Sequence, residues 1–243
     1  MNIALIGYGK MGKTIEQVIA EEYAGNCRVV LRIDSQKRNT LDIATLQNAD
    51  VAIEFTAPHA AADNLLFCLE AGVPVVCGTT GWLSRFEEVR QMCVHKGGAL
   101  VYASNFSIGV NLFFELNRWL AQLMRPYPHY RPEIEETHHL QKKDSPSGTA
   151  VTLAEAVVSE SQQLQKWVNH PVSKPDELPL ISHRIADVKG THIVRYQSAI
   201  DTIEISHTAH SRLGFAQGAV LAAAWVLGKK GIFTMRDVLH LGV

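Results

Sequence analysis

The stretch Met1-Asn2-Ile3-Ala4-Leu5-Ile6-Gly7-Tyr8-Gly9-Lys10-Met11-Gly12 decides the fold. Its apolar run, Asn2–Ile6, reads as a strand buried on both faces, and glycines follow it at the GxGxxG spacing. The first glycine permits a tight turn, the second lets the backbone approach a pyrophosphate, and the third allows close helix–strand packing. The amphipathic stretch running on to Tyr23 predicts a helix, whose N-terminus favours phosphate charge. A second apolar run, 29–33, ends at Asp34, 22 residues beyond Gly12 and near the spacing of an acid on an adenosine ribose. Alone, the glycines also suit a purely structural turn; strand, helix and acid together favour a dinucleotide. The expected contacts here are Gly7, Tyr8, Gly9, Lys10, Met11, Gly12 and Asp34. A carboxylate at 34 favours the free 2′-hydroxyl of NADH, and the nearby Lys37 and Arg38 soften that preference, so use of both NADH and NADPH is expected.

Working outward, the runs 51–55, 73–77 and 99–103 repeat the strand pattern, with helical segments at 41–46, 60–71 and 83–95. Short, uniformly apolar strands alternating with helices predict an α/β fold, a Rossmann-type doubly wound parallel sheet. Two turns fall at carboxyl ends of these strands, where open sheets of this kind bind ligands. They add Gly78, Thr79 and Thr80, then Ala103, Ser104, Asn105 and Phe106, to the expected cofactor contacts. After Asn105 the rhythm changes. A helix at 110–123 stops at the break Arg125-Pro126-Tyr127-Pro128, followed by a strand at 134–139, a helix at 149–163 and a polar, proline-bearing loop at 165–179. Three β-like runs, 181–188, 193–197 and 201–207, come next, with Lys189-Gly190 as a hairpin breaker between two of them. This middle portion predicts an inserted α+β domain with helices on one face of an open mixed sheet, whose other face or edge could join copies of the chain. Helices at 218–227 and 236–239 are expected to return to the first domain. The predicted organisation is 1–107 for dinucleotide binding, 108–211 for substrate binding and oligomerisation, and 212–243 as the return segment.

Composition narrows the function classes. A formal net charge of -1 gives no electrostatic reason to expect nucleic acid or an acidic membrane as partner. No apolar run approaches the roughly 20 residues of a membrane span, and Met1–Gly7 is too short for a signal peptide. Cys27, Cys68, Cys77 and Cys93 contain no CxxC pair, so neither a metal site nor a disulfide framework is indicated, and a cytoplasmic location is expected.

The chemistry concentrates in Glu135-Glu136-Thr137-His138-His139-Leu140-Gln141-Lys142-Lys143-Asp144-Ser145-Pro146-Ser147-Gly148-Thr149-Ala150. On a strand, His138 shares a face with Ile134 and Glu136, while His139 points away unless the strand ends there. The chain must turn near Leu140 for both rings and Lys142 to converge. Pro146 suits a first helical turn, and the N–H groups of Gly148 and Thr149 can receive a carboxylate. Hydride addition to a conjugated imine leaves an anionic nitrogen, which a nearby cationic Lys or His can stabilise and protonate. A nicotinamide-dependent reductase of a small carboxylated substrate is the expected activity.

At these residues the chain resembles the dihydrodipicolinate reductase (4-hydroxy-tetrahydrodipicolinate reductase) family of lysine biosynthesis. The likeness covers Gly7–Gly12, Glu54-Phe55-Thr56, Gly78–Gly81, Ser104–Val110, His138–Ala150, Phe215-Ala216-Gln217-Gly218-Ala219 and Met235-Arg236-Asp237-Val238-Leu239. The resemblance implies His138 and Lys142 as catalytic residues, with Lys142 the proton donor. It implies His139, Ser147, Gly148 and Thr149 as substrate-binding residues for a dicarboxylate cyclic imine, and a homotetramer built from the sheets of the inserted domain. It further implies closure about hinges near Ser107 and Arg212. Departures from the longer family members include a shorter fingerprint loop, Ala57 where the enterobacterial type has arginine, and Asp34 where it has glutamate; these bear on cofactor preference. Two other readings compete: an amino-acid dehydrogenase of the aspartate or homoserine type, which has no need of His138-His139-x-x-Lys142, and an NADH-binding redox sensor of DNA, against which the charge balance argues.

Overall fold

The computed structural model describes residues 1–34, 42–171 and 174–241, so Lys37 and Arg38 lie outside the described residues. The chain divides into two compact units, Met1–Ile108 with Arg212–Val243, and Gly109–Ser211. The first begins with β1 (Asn2–Ile6), α1 (Lys10–Glu22), β2 (Arg28–Ile33), α2 (Ile43–Leu46), β3 (Val51–Glu54) and α3 (Pro58–Glu70). It continues with β4 (Val75–Cys77), a 3₁₀ turn at Leu83–Arg85, α4 (Phe86–Lys96) and β5 (Ala99–Tyr102). Helix α5 (Ile108–Met124) leads into the second unit, which holds β6 (Arg131–His138), α6 (Gly148–Glu160), β7 (Lys166–Val168), β8 (Glu177–Arg184), β9 (Thr191–Gln197) and β10 (Thr202–Thr208). The return segment supplies α7 (Leu213–Val226), β11 (Gly231–Phe233) and α8 (Met235–Val238).

The first unit is a six-stranded sheet in the order β11-β5-β4-β3-β1-β2, with every pairing parallel. Alternation along β1 sends Ala4 and Ile6 to one face, against Leu65 and Leu69 of α3 and Val89 of α4. Ile3 and Leu5 face the opposite side, against Ile15 and Val18 of α1, Ala219 and Val226 of α7 and Val238 of α8. Both faces are covered, which is why the inner strands carry no polar alternation, while the edge strand β2 exposes Arg28, Val30 and Arg32. The small residues of α7 let it lie close: a Cβ on Gly218 would come within 1.8 Å of the Phe106 carbonyl oxygen. The return segment contributes to this core and adds β11, a strand too short and glycine-led to show in the sequence. Helix α7 starts at Leu213, ahead of the expected 218, because polar Gln217 and Gly214 dilute its apolar signal without stopping the helix.

The second unit is a mixed sheet in the order β10-β9-β6-β8-β7. Strand β6 sits between β8, to which it is parallel, and β9, to which it is antiparallel. Lys189-Gly190 is therefore not a hairpin turn. The segment 185–190 instead carries the chain from β8 past the end of β6 to β9, and Ile185 N donates to the His138 carbonyl at 2.8 Å. The expected loop at 165–179 also needs correction, since it contains β7 and the start of β8, paired through Trp167 opposite Leu178 and Val168 opposite Pro179. Pairing with β6 begins only at Leu180, so Pro179 has β7 alone beside it, a position where a missing N–H is tolerated. Helix α6 ends at Glu160 and not at 163, because extended Ser161 accepts the N–H groups of Gln163 and Leu164 on its Oγ.

Helices α5 and α6 cover one face of this sheet, with Phe113, Leu153 and Val157 against Ile134, Leu180, Val194 and Tyr196. The other face carries Arg195, whose guanidinium meets Glu133 and Glu135 at 3.0 Å and Glu204 at 2.9 Å. No described helix is long and apolar enough to cross a membrane.

Candidate active site

In the first unit a cleft of about 530 Å³ opens at the carboxyl ends of β1, β2 and β3, where the winding of the sheet reverses. Its lining includes Gly7, Tyr8, Gly9, Asp34, Phe55 and Thr56. Gly7 has φ +99°, and a Cβ there would meet the Phe55 carbonyl oxygen at 1.9 Å. A Cβ on Gly12 would lie 2.4 Å from the Gly7 carbonyl oxygen, whereas one on Gly9 would meet nothing within 4 Å. Two glycines are thus demanded by the protein's own packing, and the middle one leaves an open approach to the backbone. Gly9 also caps α1 without a side-chain hydrogen bond, so the first-turn N–H groups at Lys10, Met11 and Gly12 face that opening. This cradle fits the pyrophosphate of a dinucleotide.

The remaining expected cofactor residues divide. Gly78 lies against Phe55, where a Cβ would overlap the ring at 2.1 Å, and Thr79 accepts the Thr56 N–H on its Oγ1 at 2.7 Å. These residues tie the β4 turn to the β3 turn, while Thr80 is exposed. Ala103 and Ser104 follow β5, and Asn105 accepts the Ser107 N–H at 2.9 Å. The Phe106 side chain is core, 1 % exposed and stacked obliquely on Phe55 at 5.9 Å, leaving only its backbone for a ligand. Glu54, fully buried beneath this region, accepts from Asn64 at 3.3 Å and from the Cys77 thiol at 3.2 Å. Burial, and then Glu54, push the Cys77 thiol far up, so it remains protonated.

In the second unit β6 ends at His138, and the chain turns at once, with Lys142 N donating to the His139 carbonyl at 3.1 Å. That turn takes His139 out of the strand alternation, and Lys142, which follows it, holds its Nζ 2.8 Å from Asp144. Ser147 caps α6, accepting the Ala150 N–H at 3.2 Å, and its own N–H goes to Glu136 at 3.0 Å. The Ser147 side chain is therefore spent inside the protein. Gly148 and Thr149, in the first turn of α6, keep N–H groups that have no acceptor within the helix.

The sequence reading missed the centre of this region. Glu136 is fully buried, and its Oε1 collects Ser147 N, Ser182 Oγ at 2.9 Å and the Arg184 guanidinium at 3.3 Å. Its Oε2 faces His138 Nδ1 at 3.2 Å and His192 Nε2 at 3.7 Å. Burial alone would raise the Glu136 carboxyl, but the contacts from His138, Ser147 and Ser182 outweigh it and hold the group well below the usual carboxylate range. His192 Nε2 lies 3.1 Å from Ser147 Oγ; burial, followed by repulsion from His138, pushes this imidazole down to about 4, so it is neutral. Ligating atoms of Glu136, His138 and His192 lie within 4.8 Å of one another. Arg184 supplies positive charge to the same carboxylate, so the trio and the guanidinium form one buried charge cluster. Gly190, on the crossover from β8, leaves room for the His138 ring: a Cβ there would stand 3.0 Å from Nε2. The available signal was alternation, since Glu136 and His192 occupy inward positions beside Ile134 and Val194, where an unpaired polar residue would be costly.

Comparison with known proteins shows the family. The family models described as dihydrodipicolinate reductase, N-terminus, and dihydrodipicolinate reductase, C-terminus, match residues 1–106 and 109–239. The 4-hydroxy-tetrahydrodipicolinate reductase of Christiangramia forsetii is 48% identical over 98% of this chain and 98% of its own. That of Methanoregula boonei is 35% identical over 96% of this chain and 95% of its own. Among solved structures, a dipicolinate-bound dihydrodipicolinate reductase from Paenisporosarcina sp. TG-14 shares the fold, with a TM-score of 0.77 at 22% identity over 96% of this chain and 97% of that one.

Proposed function

The chain belongs to the dihydrodipicolinate reductase family, and we propose how its residues divide the work of that reaction. The reaction is the NAD(P)H-dependent reduction of 4-hydroxy-tetrahydrodipicolinate to tetrahydrodipicolinate in diaminopimelate and lysine biosynthesis. What supports the assignment is the carboxylate of Glu136, which faces His138 and binds the Ser147 N–H at the head of α6, on either side of the segment that carries His139 and Lys142. When bound, the nicotinamide supplies hydride. The backbone around Gly7, Gly9 and Gly12 receives the pyrophosphate, and Asp34 receives the adenosine ribose.

The N–H groups of Gly148 and Thr149 bind one substrate carboxylate, and His139 assists. Hydride addition places negative charge on the ring nitrogen; Lys142 neutralises that charge and donates the proton, with His138 beside it as second acid. Closing the two units about Ser107 and Arg212 would bring substrate and nicotinamide together and exclude water. The Arg195-bearing face of the second sheet is the surface on which we place a homotetramer, and the cytoplasm is the proposed location. Light scattering tests the assembly.

The reaction is tested by generating the imine in place with the synthase and following NADH or NADPH oxidation. Substrate-dependent oxidation is expected with both cofactors; a preference above about a hundredfold, roughly 3 kcal/mol, would exclude dual use. A folded protein that binds NADH but leaves the imine untouched would overturn the reductase assignment.

A further inference from the structure

Glu136 sits at the junction of the second unit, and its two oxygens have unequal surroundings. Oε1 receives three donors, from the Ser147 N–H, the Ser182 hydroxyl and the Arg184 guanidinium. Oε2 is buried without an aligned partner among the described residues, and so is His138 Nδ1, only 3.2 Å away. A buried carboxylate oxygen with no donor is costly, and so is a buried ring nitrogen with no partner. A single proton on Nδ1, brought into line with Oε2 by a small turn of the ring, relieves both. His192 cannot take that place, since its Nε2 is farther from Oε2 and already meets Ser147 Oγ at 3.1 Å. The far edge of the ring, with Nε2, lies against Gly190, the residue whose missing side chain leaves that edge uncovered.

We propose that Glu136 is a positioning residue that keeps the proton of the neutral His138 ring on Nδ1, so that the proton the ring gives to the substrate is the second one, taken up at Nε2 and lost from it. The same carboxylate fixes the start of α6 through Ser147, and Arg184 reaches from it to the Asp144 carbonyl at 2.6 Å. One buried group thereby sets both the tautomer of His138 and the ends of the loop that carries Lys142. The inference rests on His138 acting in the reaction proposed above, but its test reads the ring directly.

Nitrogen-15 NMR of histidine-labelled protein at about pH 9, where imidazoles are neutral, distinguishes the two tautomers. The His138 signals are assigned by their loss in H138A. The wild type should show a protonated Nδ1 and an unprotonated Nε2. In E136Q the amide oxygen is drawn to the three donors at Oε1, which turns the NH₂ toward Nδ1 and should invert the tautomer. Turnover of E136Q should fall about 10- to 100-fold with NADH affinity unchanged. An Nε2-protonated ring in the wild type would overturn the proposal without any variant, as would an unaltered tautomer in folded E136Q. Absence of turnover in the wild type would count against the reductase assignment alone, because the tautomer is read without the reaction.

Discussion

The two candidate sites are made of different material. The cleft at β1 is made of backbone: Gly7 and Gly12 are set by their own packing, Gly9 by the lack of anything near it, and the helix N-terminus lies within the same few residues. The cluster around Glu136 is made of side chains from β6, α6, β8 and β9, brought together only by the strand order of the second sheet. A backbone site resists substitution where, as at Gly7 and Gly12, an added Cβ would strike a carbonyl. A side-chain cluster resists because each buried group depends on the others being present.

The contrast can be broken most strongly at Lys142. Lys142→Ala should lower turnover by about 10²- to 10⁴-fold and leave NADH binding intact, since it removes an acid and no part of the cradle. Unchanged turnover in the coupled assay would end that assignment. In the cradle, Gly7→Ala and Gly9→Ala should separate cleanly. The first forces a Cβ to 1.9 Å from a carbonyl at φ +99° and should cost more than about 3 kcal/mol of stability. The second meets no protein atom within 4 Å, so its melting temperature should stay native while NADH affinity falls about 10- to 100-fold. Equal destabilisation by the two would refute the distinction between packing glycine and ligand glycine.

The pH dependence sharpens the other side. His192 is lowered from 6.5 to about 4 by burial first and His138 second. Between those values the unfolded chain binds a proton that the folded chain does not, so this contribution is complete above pH 6.5 and is lost as pH falls toward 4. His192→Gln should flatten that limb of a thermal-melt profile by about 1–3 kcal/mol. Glu136, held low, adds its own loss at more acidic pH, which the variant should leave in place. The smallest effect is expected at His139, where His139→Ala should raise the substrate KM about tenfold with little change in kcat. A pure loss of kcat would exchange the roles of the two histidines.

How much was legible follows the same division. The alternation of helices with parallel strands, the glycine turn and the acid at 34 could be read because each is a local pattern. Lys189-Gly190 was misread because glycine marks both tight turns and close approaches, and only the insertion of β6 between β8 and β9 shows which applies. Strand β7 was taken for loop because a three-residue edge strand bearing Lys166 has too little period to register. Phe106 looked like part of a ligand-binding turn, yet its ring belongs to the core.

The sequence by itself determined the glycine turn after β1, the parallel sheet that carries it, and the short segment holding His138, His139 and Lys142, because contacts between near neighbours along the chain set all three. The tertiary structure alone decided that His138, Ser182, Arg184 and His192 gather around Glu136, and that Gly190 leaves room for the His138 ring. Those partners come from strands up to 56 residues away along the chain, as from Glu136 to His192. Their meeting depends on a sheet order that no local pattern specifies.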